Sequence, residues 1–317
     1  MPTIRSRPAS LPEPCAPGPF QAPPEQETTN VIPPSFDYHA PKSVGEALGL
    51  LGSLGQDAKL LAGGHSLLPM MKLRFAQPAH LIDLNRIPEL RGICEDGTDV
   101  VIGAMTSENE LIASPVLRAR VPLMAEAPKL IADPQVRNRG TIGGDIAHGD
   151  PGNDHPAISL ALDATMHIEG RGGKRSVKAD DFYLGLYATA LAEDEILTAI
   201  RVPAFAAGTG WAYEKLKRKT GDWATAGAAV VMRMSGGTVS HVRIALTNVA
   251  PTAIRAHDAE KALLGQAVTP AVLQAAADAA MAVCDPAADL RGNEEYKTAM
   301  AGQMVKRAIA AAAARCA

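Results

Sequence analysis

Residues 60–74, LLAGGHSLLPMMKLR, place two glycines, a histidine and a serine between an apolar run and a segment with helical spacing. The run AKLL before the glycines predicts a short buried strand, and SLLPMMKLR after them predicts a helix. Glycine has no Cβ, so it can adopt a positive φ and lets a ligand approach the backbone closely. The stretch is therefore either an ordinary strand-to-helix turn or a loop that holds a ligand.

A second glycine cluster occupies residues 138–164, NRGTIGGDIAHGDPGNDHPAISLALDA. Its glycines and prolines predict about fifteen residues without regular structure, which is long for a mere connection in a compact domain. Backbone N–H groups that converge from a tight glycine loop bind pyrophosphate, and a following helix adds its N-terminal partial positive charge. Two such loops favour a cradle for a long dinucleotide over two structural turns.

Three familiar motifs are missing around these loops. No GxGxxG follows a first strand with an acidic residue about twenty positions on, so a Rossmann dinucleotide fold is not indicated. Neither loop is followed by GK[ST], which argues against a P-loop, and GHS lacks the GxSxG pattern of an α/β-hydrolase. The remaining class is a dinucleotide cradle of another kind.

The composition is that of an ordinary globular protein, since 47% of the 317 residues are hydrophobic, 21% are charged and the formal net charge is -3. This length is enough for two domains, and the charge gives no support for nucleic acid or an anionic membrane as partner. The cysteines are scattered without a CxxC pair, at Cys15, Cys94, Cys284 and Cys316. We therefore predict no zinc or iron–sulfur site on this chain, no transmembrane segment, and a cytoplasmic location.

The chain is predicted to have three parts. Prolines crowd residues 1–32, which predicts a disordered or extended tail, although an upstream choice of start codon explains it equally well. Residues 33–205 alternate helical and strand patterns, which is typical of a mixed domain. Residues 206–317 contain three strand-like runs followed by three helical runs, which predicts an antiparallel sheet carrying helices on one face.

Several elements are predicted within these parts. SVGEALGLLGSL has helical spacing, with Ser43 as N-cap and Glu46 three residues on in a capping-box pattern. AHLIDLNRI, DVVIGAMT and TMHIEG predict strands, and glycines between ATAGAAVVMR and TVSHVRIALTNV predict a hairpin. The three C-terminal helices are predicted in AHDAEKALLG, TPAVLQAAADAAMAVC and EYKTAMAGQMVKRAIAAAAARCA.

AGGHSLLPMMKLR followed by TIGGDIAHGDPGNDHPA resembles the FAD-binding medium subunits of the molybdenum hydroxylases, the family of xanthine dehydrogenase and aerobic carbon monoxide dehydrogenase. LLPMMKLRFAQP, WAYEKLKRKTGDWATAGAAVVMR and YKTAMAGQMVKRA are similar to the carbon monoxide dehydrogenase branch in particular. The resemblance runs from about residue 33 to residue 317. It implies an α+β fold, in which a two-part FAD-binding domain of the PCMH/vanillyl-alcohol-oxidase type precedes a three-stranded antiparallel sheet with a helical bundle.

The resemblance also implies site residues, with no catalytic residue and no metal ligand on this chain. Those implied to cradle the FAD pyrophosphate are Ala62, Gly63, Gly64, His65 and Ser66 in the first loop and Thr141, Ile142, Gly143, Gly144 and Asp145 in the second. Asp154 is implied to contact the flavin nucleotide, Ile131 to flank it, and Arg255 to lie near it. Valine at both Gly64 and Gly143 is then expected to abolish FAD retention in a protein that still folds.

Several residues keep two interpretations. His65 is either an acid–base group or a residue that shapes the turn, and Trp223 either walls the flavin or lies half-buried at an interface. The histidines and aspartates of the second loop are either a metal cluster or a polar loop that satisfies its own backbone; they are His148, His155, Asp145, Asp150 and Asp154. The basic run at 215–219 is either a solvated strand face or a docking patch.

The resemblance implies partner subunits, because this chain carries little chemistry of its own. A small subunit with iron–sulfur clusters would deliver electrons, a large subunit with a molybdenum–pterin cofactor would oxidise the substrate, and the assembly would be a dimer of heterotrimers. The final acceptor would be external, such as a quinone, and the complex would be cytoplasmic or peripheral at the inner face of the membrane. Open alternatives are a sister aldehyde or heterocycle hydroxylase, a self-contained FAD reductase, and a non-catalytic assembly subunit.

Overall fold

The computed structural model describes residues 32–316, which begin with a three-stranded parallel sheet. Its strands are β1 (Asp37–His39), β2 (Ala58–Leu61) and β3 (His80–Asp83), with β3 in the centre. Parallel strands need a crossover connection, and helix α1 (Val44–Leu54) lies between β1 and β2 in the chain. Apart from its last residue, the predicted Pro-rich tail lies outside the described residues.

The start of α1 shows how closely the sequence sets the local structure. The Ser43 hydroxyl accepts a hydrogen bond from the Glu46 N–H at 3.2 Å, as the capping pattern predicts. The Glu46 carboxylate accepts from the Lys42 N–H at 2.7 Å, one residue earlier than in the usual reciprocal box. The predicted helix and its N-cap are confirmed.

A five-stranded antiparallel sheet forms the middle of the molecule. In spatial order its strands are β4 (Ile93–Asp96), β5 (Asp99–Gly103), β10 (Glu195–Pro203), β6 (Thr165–Gly170) and β7 (Gly173–Lys178). The sequence patterns predicted strands at β5 and β6 but not the central strand β10. A separate two-stranded ribbon consists of β8 (Tyr183–Gly185) and β9 (Ala188–Thr189).

Seven short helices connect these sheets. They are α2 (Leu67–Lys72), α3 (Glu108–Ala113), α4 (Pro115–Arg120), α5 (Pro122–Glu126), α6 (Pro134–Arg137), α7 (Ile142–His148) and α8 (Asp154–Ala161). The prediction of a long irregular stretch after Gly140 is wrong, because α7 and α8 occupy most of it. The Thr141 hydroxyl caps α7 by accepting from the Gly144 N–H at 3.2 Å, and Gly149 ends the helix with φ 66°.

The C-terminal sheet is antiparallel and has four strands instead of the three predicted. Three are the predicted ones, β11 (Thr209–Leu216), β12 (Ala226–Ser235) and β13 (Thr238–Thr247). The fourth, β14 (Ile254–Arg255), has only two residues, which is too short to give a periodic pattern. The hairpin turn is the predicted pair Gly236 and Gly237, with φ values of 57° and 79°.

Three helices complete the C-terminal part, as predicted: α9 (His257–Leu263), α10 (Pro270–Ala282) and α11 (Glu294–Ala313). Helix α11 packs directly against β11 and β12. The approach is so close at Gly210 that an added Cβ would lie 1.9 Å from the Ala312 carbonyl oxygen. The alanine-rich sequence of α11 is therefore a packing feature of its own domain.

The apolar core is divided into three clusters. One lies between α1 and the parallel sheet, and another lies between the C-terminal sheet and helices α10 and α11. The middle cluster combines the five-stranded sheet with Ala229, Val231 and Ala245 of the C-terminal strands. The α+β class is confirmed, whereas the domain boundary near residue 205 stays a prediction. Among residues 32–316, no helix has the length and apolar composition that crossing a membrane requires.

Candidate functional site

The two glycine loops lie in contact with each other. The first loop joins β2 to α2, and the second motif, from Thr141 to Asp145, forms the N-cap and first turn of α7. A Cβ on Gly63 would lie 2.4 Å from the carbonyl oxygen of Arg139 and 2.9 Å from the Cα of Gly140. A Cβ on Gly144 would lie 3.3 Å from the Cβ of Ala62. Glycine at position 63 is thus required because the backbone of the second loop passes directly over it.

A cavity of about 520 Å³ opens beside these loops. This volume lies within the range of about 300–1,000 Å³ that is usual for cofactor sites. The predicted site residues that line it are Ala62, Gly63, Gly64, His65, Ser66, Ile131, Thr141, Gly143, Gly144 and Asp145. Ile142, between two of them, points into the protein core instead. The structure therefore brings most of the predicted cradle to one cavity.

The first loop presents unused backbone donors. The N–H groups of Gly63, Gly64, His65 and Ser66 donate no hydrogen bond to any other part of the described chain. Gly64 has φ 80°, and the Ser66 side chain makes no capping bond to α2. Four consecutive free N–H groups with a neighbouring hydroxyl form an arrangement suited to an anion. His65 is exposed beside them, which fits a residue that shapes the turn.

The second loop is built differently, because its N–H groups are already used within the protein. The Ile142 N–H donates to the Thr106 carbonyl, and the Gly143 N–H donates to the Ala104 carbonyl. The N–H groups of Gly144 and Asp145 donate to the hydroxyl and the carbonyl of Thr141, respectively. This loop is a rigid wall of the cavity more than a source of backbone donors. The Thr141 hydroxyl accepts from Gly144, so its own proton is available to a ligand.

Gly143 is a packing position. A Cβ there would lie 2.5 Å from the Cβ of Ala104 and 2.6 Å from its carbonyl oxygen. Valine at this position would have to displace the backbone at Ala104, directly after β5. The added atoms at Gly143 meet Ala104 before they meet any ligand, so valine there is expected to lower the stability of the protein as well as its retention of FAD. The expectation that the Gly64 and Gly143 double valine variant still folds stays a prediction.

Asn85 shapes the first loop and was not identified from the sequence. Its Nδ2 donates to the Ala62 carbonyl at 2.9 Å and to the Asp83 carboxylate at 2.6 Å. Its Oδ1 accepts from Arg91 at 3.2 Å. The sequence signal that could have found it is the pair Asp83 and Asn85 at the end of a strand, because the Asp83 carboxylate accepts from the Asn85 N–H in an Asx turn.

A buried pair of charges lies under the second loop. Nε2 of the fully buried His155 lies 2.8 Å from Oε2 of Glu108, and Glu108 lines the cavity. Burial alone would lower the pKa of His155, but the Glu108 carboxylate raises it to about 9. His155 is therefore charged at neutral pH and balances Glu108. Sequence reasoning missed Glu108 because its partner is 47 residues away.

Asp145 stands beside this pair on the cavity wall. Its Oδ2 accepts from the His155 backbone N–H at 3.2 Å. Burial raises the pKa of Asp145 to about 7, and the Glu108 carboxylate acts in the same direction. The histidines and aspartates of this region form no metal-binding group of three within residues 32–316.

Asp154 does not line the cavity. It accepts hydrogen bonds from the Tyr213 hydroxyl and from Nζ of Lys215, the latter at 2.7 Å. The Lys215 side chain is only 1% exposed, so the solvated-face interpretation of the basic run is wrong for this residue. Asp154 thus joins α8 to the C-terminal sheet.

Trp223 and Arg255 also lie away from the loop cavity. Trp223 is half exposed and lines a different cavity of about 610 Å³, where the Arg291 guanidinium lies 5.3 Å from the ring centroid. Arg255 forms ion pairs with Glu260 at 2.8 Å and Asp180 at 3.0 Å. Trp223 donates to Oδ1 of Asn153 at 3.4 Å, beyond the motif from Thr141 to Asp145, and neither Trp223 nor Arg255 lines the loop cavity.

Two protein families together match nearly the whole described chain. Residues 34–205 match the family described as FAD binding domain in molybdopterin dehydrogenase, and residues 211–312 match the CO dehydrogenase flavoprotein C-terminal domain. The carbon monoxide dehydrogenase medium chain of Hydrogenophaga pseudoflava is 74% identical over 287 residues, which is 90% of this chain and all of that one. The nicotine 6-hydroxylase medium subunit of Paenarthrobacter nicotinovorans is 38% identical over 282 residues, which is 89% of this chain and 99% of that one.

Solved structures agree with these relatives. A structure of the Hydrogenophaga pseudoflava carbon monoxide dehydrogenase that lacks the Mo-pyranopterin moiety superposes with a TM-score of 0.89 at 76% identity, covering 90% of this chain and 100% of that chain. Quinoline 2-oxidoreductase from Pseudomonas putida 86 superposes with a TM-score of 0.86 at 34% identity, which covers 90% of this chain and 99% of that chain.

The fold and the paired loops define the class as a flavoprotein subunit. The chain belongs to the family of FAD-binding medium subunits of the molybdenum hydroxylases. Its C-terminal domain is of the carbon monoxide dehydrogenase flavoprotein type.

Proposed function

We propose that this chain is the flavoprotein subunit of an aerobic carbon monoxide dehydrogenase and that FAD binds in the cavity between the glycine loops. The observation that carries the proposal is the run of four N–H groups from Gly63 to Ser66 that have no acceptor within residues 32–316, on the wall of a cavity that the second family motif completes. The similarity to two carbon monoxide dehydrogenase medium chains, at 74% and 54% identity, supports the choice of branch.

The residues of the cavity fit a dinucleotide with a charged middle and apolar ends. The N–H groups of the first loop and the hydroxyls of Ser66 and Thr141 would hold phosphate oxygens. Ile131 and Leu191 offer apolar surface on the cavity wall. The positive charge of His155 offsets Glu108, which lowers the electrostatic cost of a phosphate near this wall. Bound FAD supplies the electron chemistry, and the chain binds and orients it.

The proposed partners rest on membership of the family of molybdenum hydroxylase medium subunits. In such a complex, electrons would reach the flavin from a small iron–sulfur subunit, after substrate oxidation on a large molybdenum subunit. We propose a dimer of these heterotrimers, with an external acceptor such as a quinone.

The proposed location is the cytoplasm, with the complex peripheral at the inner face of the membrane. The scattered cysteines without a CxxC pair support a reducing compartment. Fractionation of cells that express the complex would test it, since recovery of the chain in a periplasmic fraction would contradict the proposal.

The decisive test of function is the absorbance spectrum of the chain co-expressed with its partner subunits. We expect flavin bands that carbon monoxide bleaches under anaerobic conditions, because electrons reach the flavin through the partners. The chain purified alone should keep its flavin oxidised under carbon monoxide. Bleaching by an aldehyde or a heterocycle in place of carbon monoxide would favour a sister hydroxylase, and bleaching of the isolated chain by NADH would favour a self-contained reductase.

A further inference from the structure

The segment that carries Ile131 to the cavity wall is held by cationic side chains at three successive carbonyls. Nζ of Lys217 donates to the Leu130 carbonyl at 3.0 Å, and Nζ of Lys215 lies 3.4 Å from the same oxygen. Nη1 of Arg137 donates to the next two carbonyls, at 2.8 Å and 3.2 Å. We call residues 130–132 the wall segment.

The wall segment has a conformation that needs such support. Ala132 has φ 45°, in the left-handed region that costs a residue with a Cβ about 1–2 kcal/mol. Ile131, immediately before it, lines the same cavity as the glycine loops. A change in the backbone at Leu130 would therefore move an apolar side chain at the cavity wall.

The two lysines come from the C-terminal part of the chain, which begins with β11. Lys215 lies near the end of β11, and Lys217 follows the strand. Lys215 is already paired with Asp154 at 2.7 Å, which explains its longer distance to Leu130. The side-chain hydrogen bond of Lys217 goes to Leu130 alone. Burial lowers the pKa of Lys217, and the neighbouring Lys215 charge lowers it further, which agrees with an enclosed amine.

We propose that Lys217 is a positioning residue, which fixes Ile131 against bound FAD by holding the Leu130 carbonyl. Flavin affinity then depends on the C-terminal sheet, although the loops that hold the phosphates belong to the N-terminal part. This inference rests on the proposed binding of FAD in the loop cavity.

The test compares Lys217→Met with Lys219→Met in the complete complex, after removal of the flavin and titration with FAD. Methionine keeps the apolar stem and removes the donor. Lys219 is a matched control, because it is exposed and its side chain forms no hydrogen bond or ion pair among residues 32–316. We expect the FAD dissociation constant to rise about tenfold in K217M and to stay unchanged in K219M, since a charge-assisted hydrogen bond is lost. Lys217→Arg should restore most of the affinity.

Two further readouts separate positioning from general stability. The flavin circular dichroism of K217M should differ from that of K219M, while the unfolding temperatures of the two flavin-free proteins should agree. Equal FAD affinity in K217M and K219M would overturn the inference. So would a weakened affinity that is matched by a lower unfolding temperature without flavin, because that pattern indicates a structural role.

A parallel titration of Gly63→Ala keeps the two proposals distinct. Loss of FAD in the Gly63→Ala protein together with full affinity in K217M would overturn only the positioning role. Full FAD affinity in both variants would overturn the loop cavity as the flavin site, and the positioning role with it.

Discussion

Single residues of the glycine loops have separate tasks that the sequence motif does not distinguish. Gly63 gives room to the backbone of the other loop, Gly143 gives room to Ala104, and Gly64 provides a positive φ of 80°. Only the first loop leaves its N–H groups free for a ligand. The same residue type thus serves loop contact, core packing and backbone conformation within one site.

Substitution of Gly63 by alanine should separate the two loops. Its Cβ would lie 2.4 Å from a backbone oxygen, so the loops must move apart, at a cost of about 1–3 kcal/mol in the free energy of unfolding. We expect FAD affinity, measured by titration, to fall at least about tenfold. Gly49→Ala is the control, because that helical site has open space and alanine favours a helix. Equal affinity in the two variants would contradict the loop-contact argument.

At the scale of elements, the helices α3 and α8 position the buried charge pair. The side chain of His155 is in α8, and Glu108 begins α3, so the pair ties two helices together beneath the cavity. Removal of either partner would leave a buried charge without compensation. The pair is therefore a source of pH-dependent stability.

The free energy of unfolding should decrease as the pH rises from about 6.5 to about 9. The pKa of His155 in the folded protein, about 9, is higher than the unfolded value near 6.5, so its contribution is complete below 6.5 and is lost toward 9. The pKa of Asp145, raised from 3.8 to about 7, lowers the stability as well, but over an earlier window that ends near pH 7. Urea unfolding across this range should show a loss of about 2–3 kcal/mol. Glu108→Gln should flatten the profile, and an unchanged profile in that variant would count against the pair.

Sequence patterns predicted local elements well and long-range ones poorly. The Ser43 cap, the Gly236–Gly237 hairpin and the C-terminal helices follow from neighbouring residues alone. Strand β10 has an irregular alternation with a bulge between Leu197 and Ala199, so its pattern is weak. The partners of Lys215 and Glu108 are distant in sequence and meet them only in the tertiary fold. For this reason the sequence left Lys215 between a solvated strand face and a docking patch, and it gave no prediction for Glu108.

At the scale of the whole molecule, the two predicted domains are joined by shared apolar and ionic contacts. All eight residues of α8 are buried, and the helix packs on β12 and β13 of the C-terminal sheet. Lys215, Arg243 and Arg255 of that sheet form ion pairs with Asp154 and Asp180 of the N-terminal part. The C-terminal part therefore completes the structure on which the cavity is built.

A fragment that ends at residue 205 should not retain FAD. It would expose the apolar surface of α8 and leave Asp154 without its Lys215 and Tyr213 partners. We expect poor solubility and a non-cooperative thermal transition, measured by circular dichroism. A soluble fragment with a cooperative transition and bound flavin would show that the C-terminal part is dispensable for the site.

The most direct test of the account is an experimental structure of the FAD-loaded complex. The account predicts phosphate oxygens within about 2.7–3.2 Å of backbone nitrogens in the loop from Gly63 to Ser66, with Ile131 in contact with the cofactor. Density for FAD elsewhere, such as in the cavity beside Trp223, would contradict the assignment of the glycine loops as the flavin site.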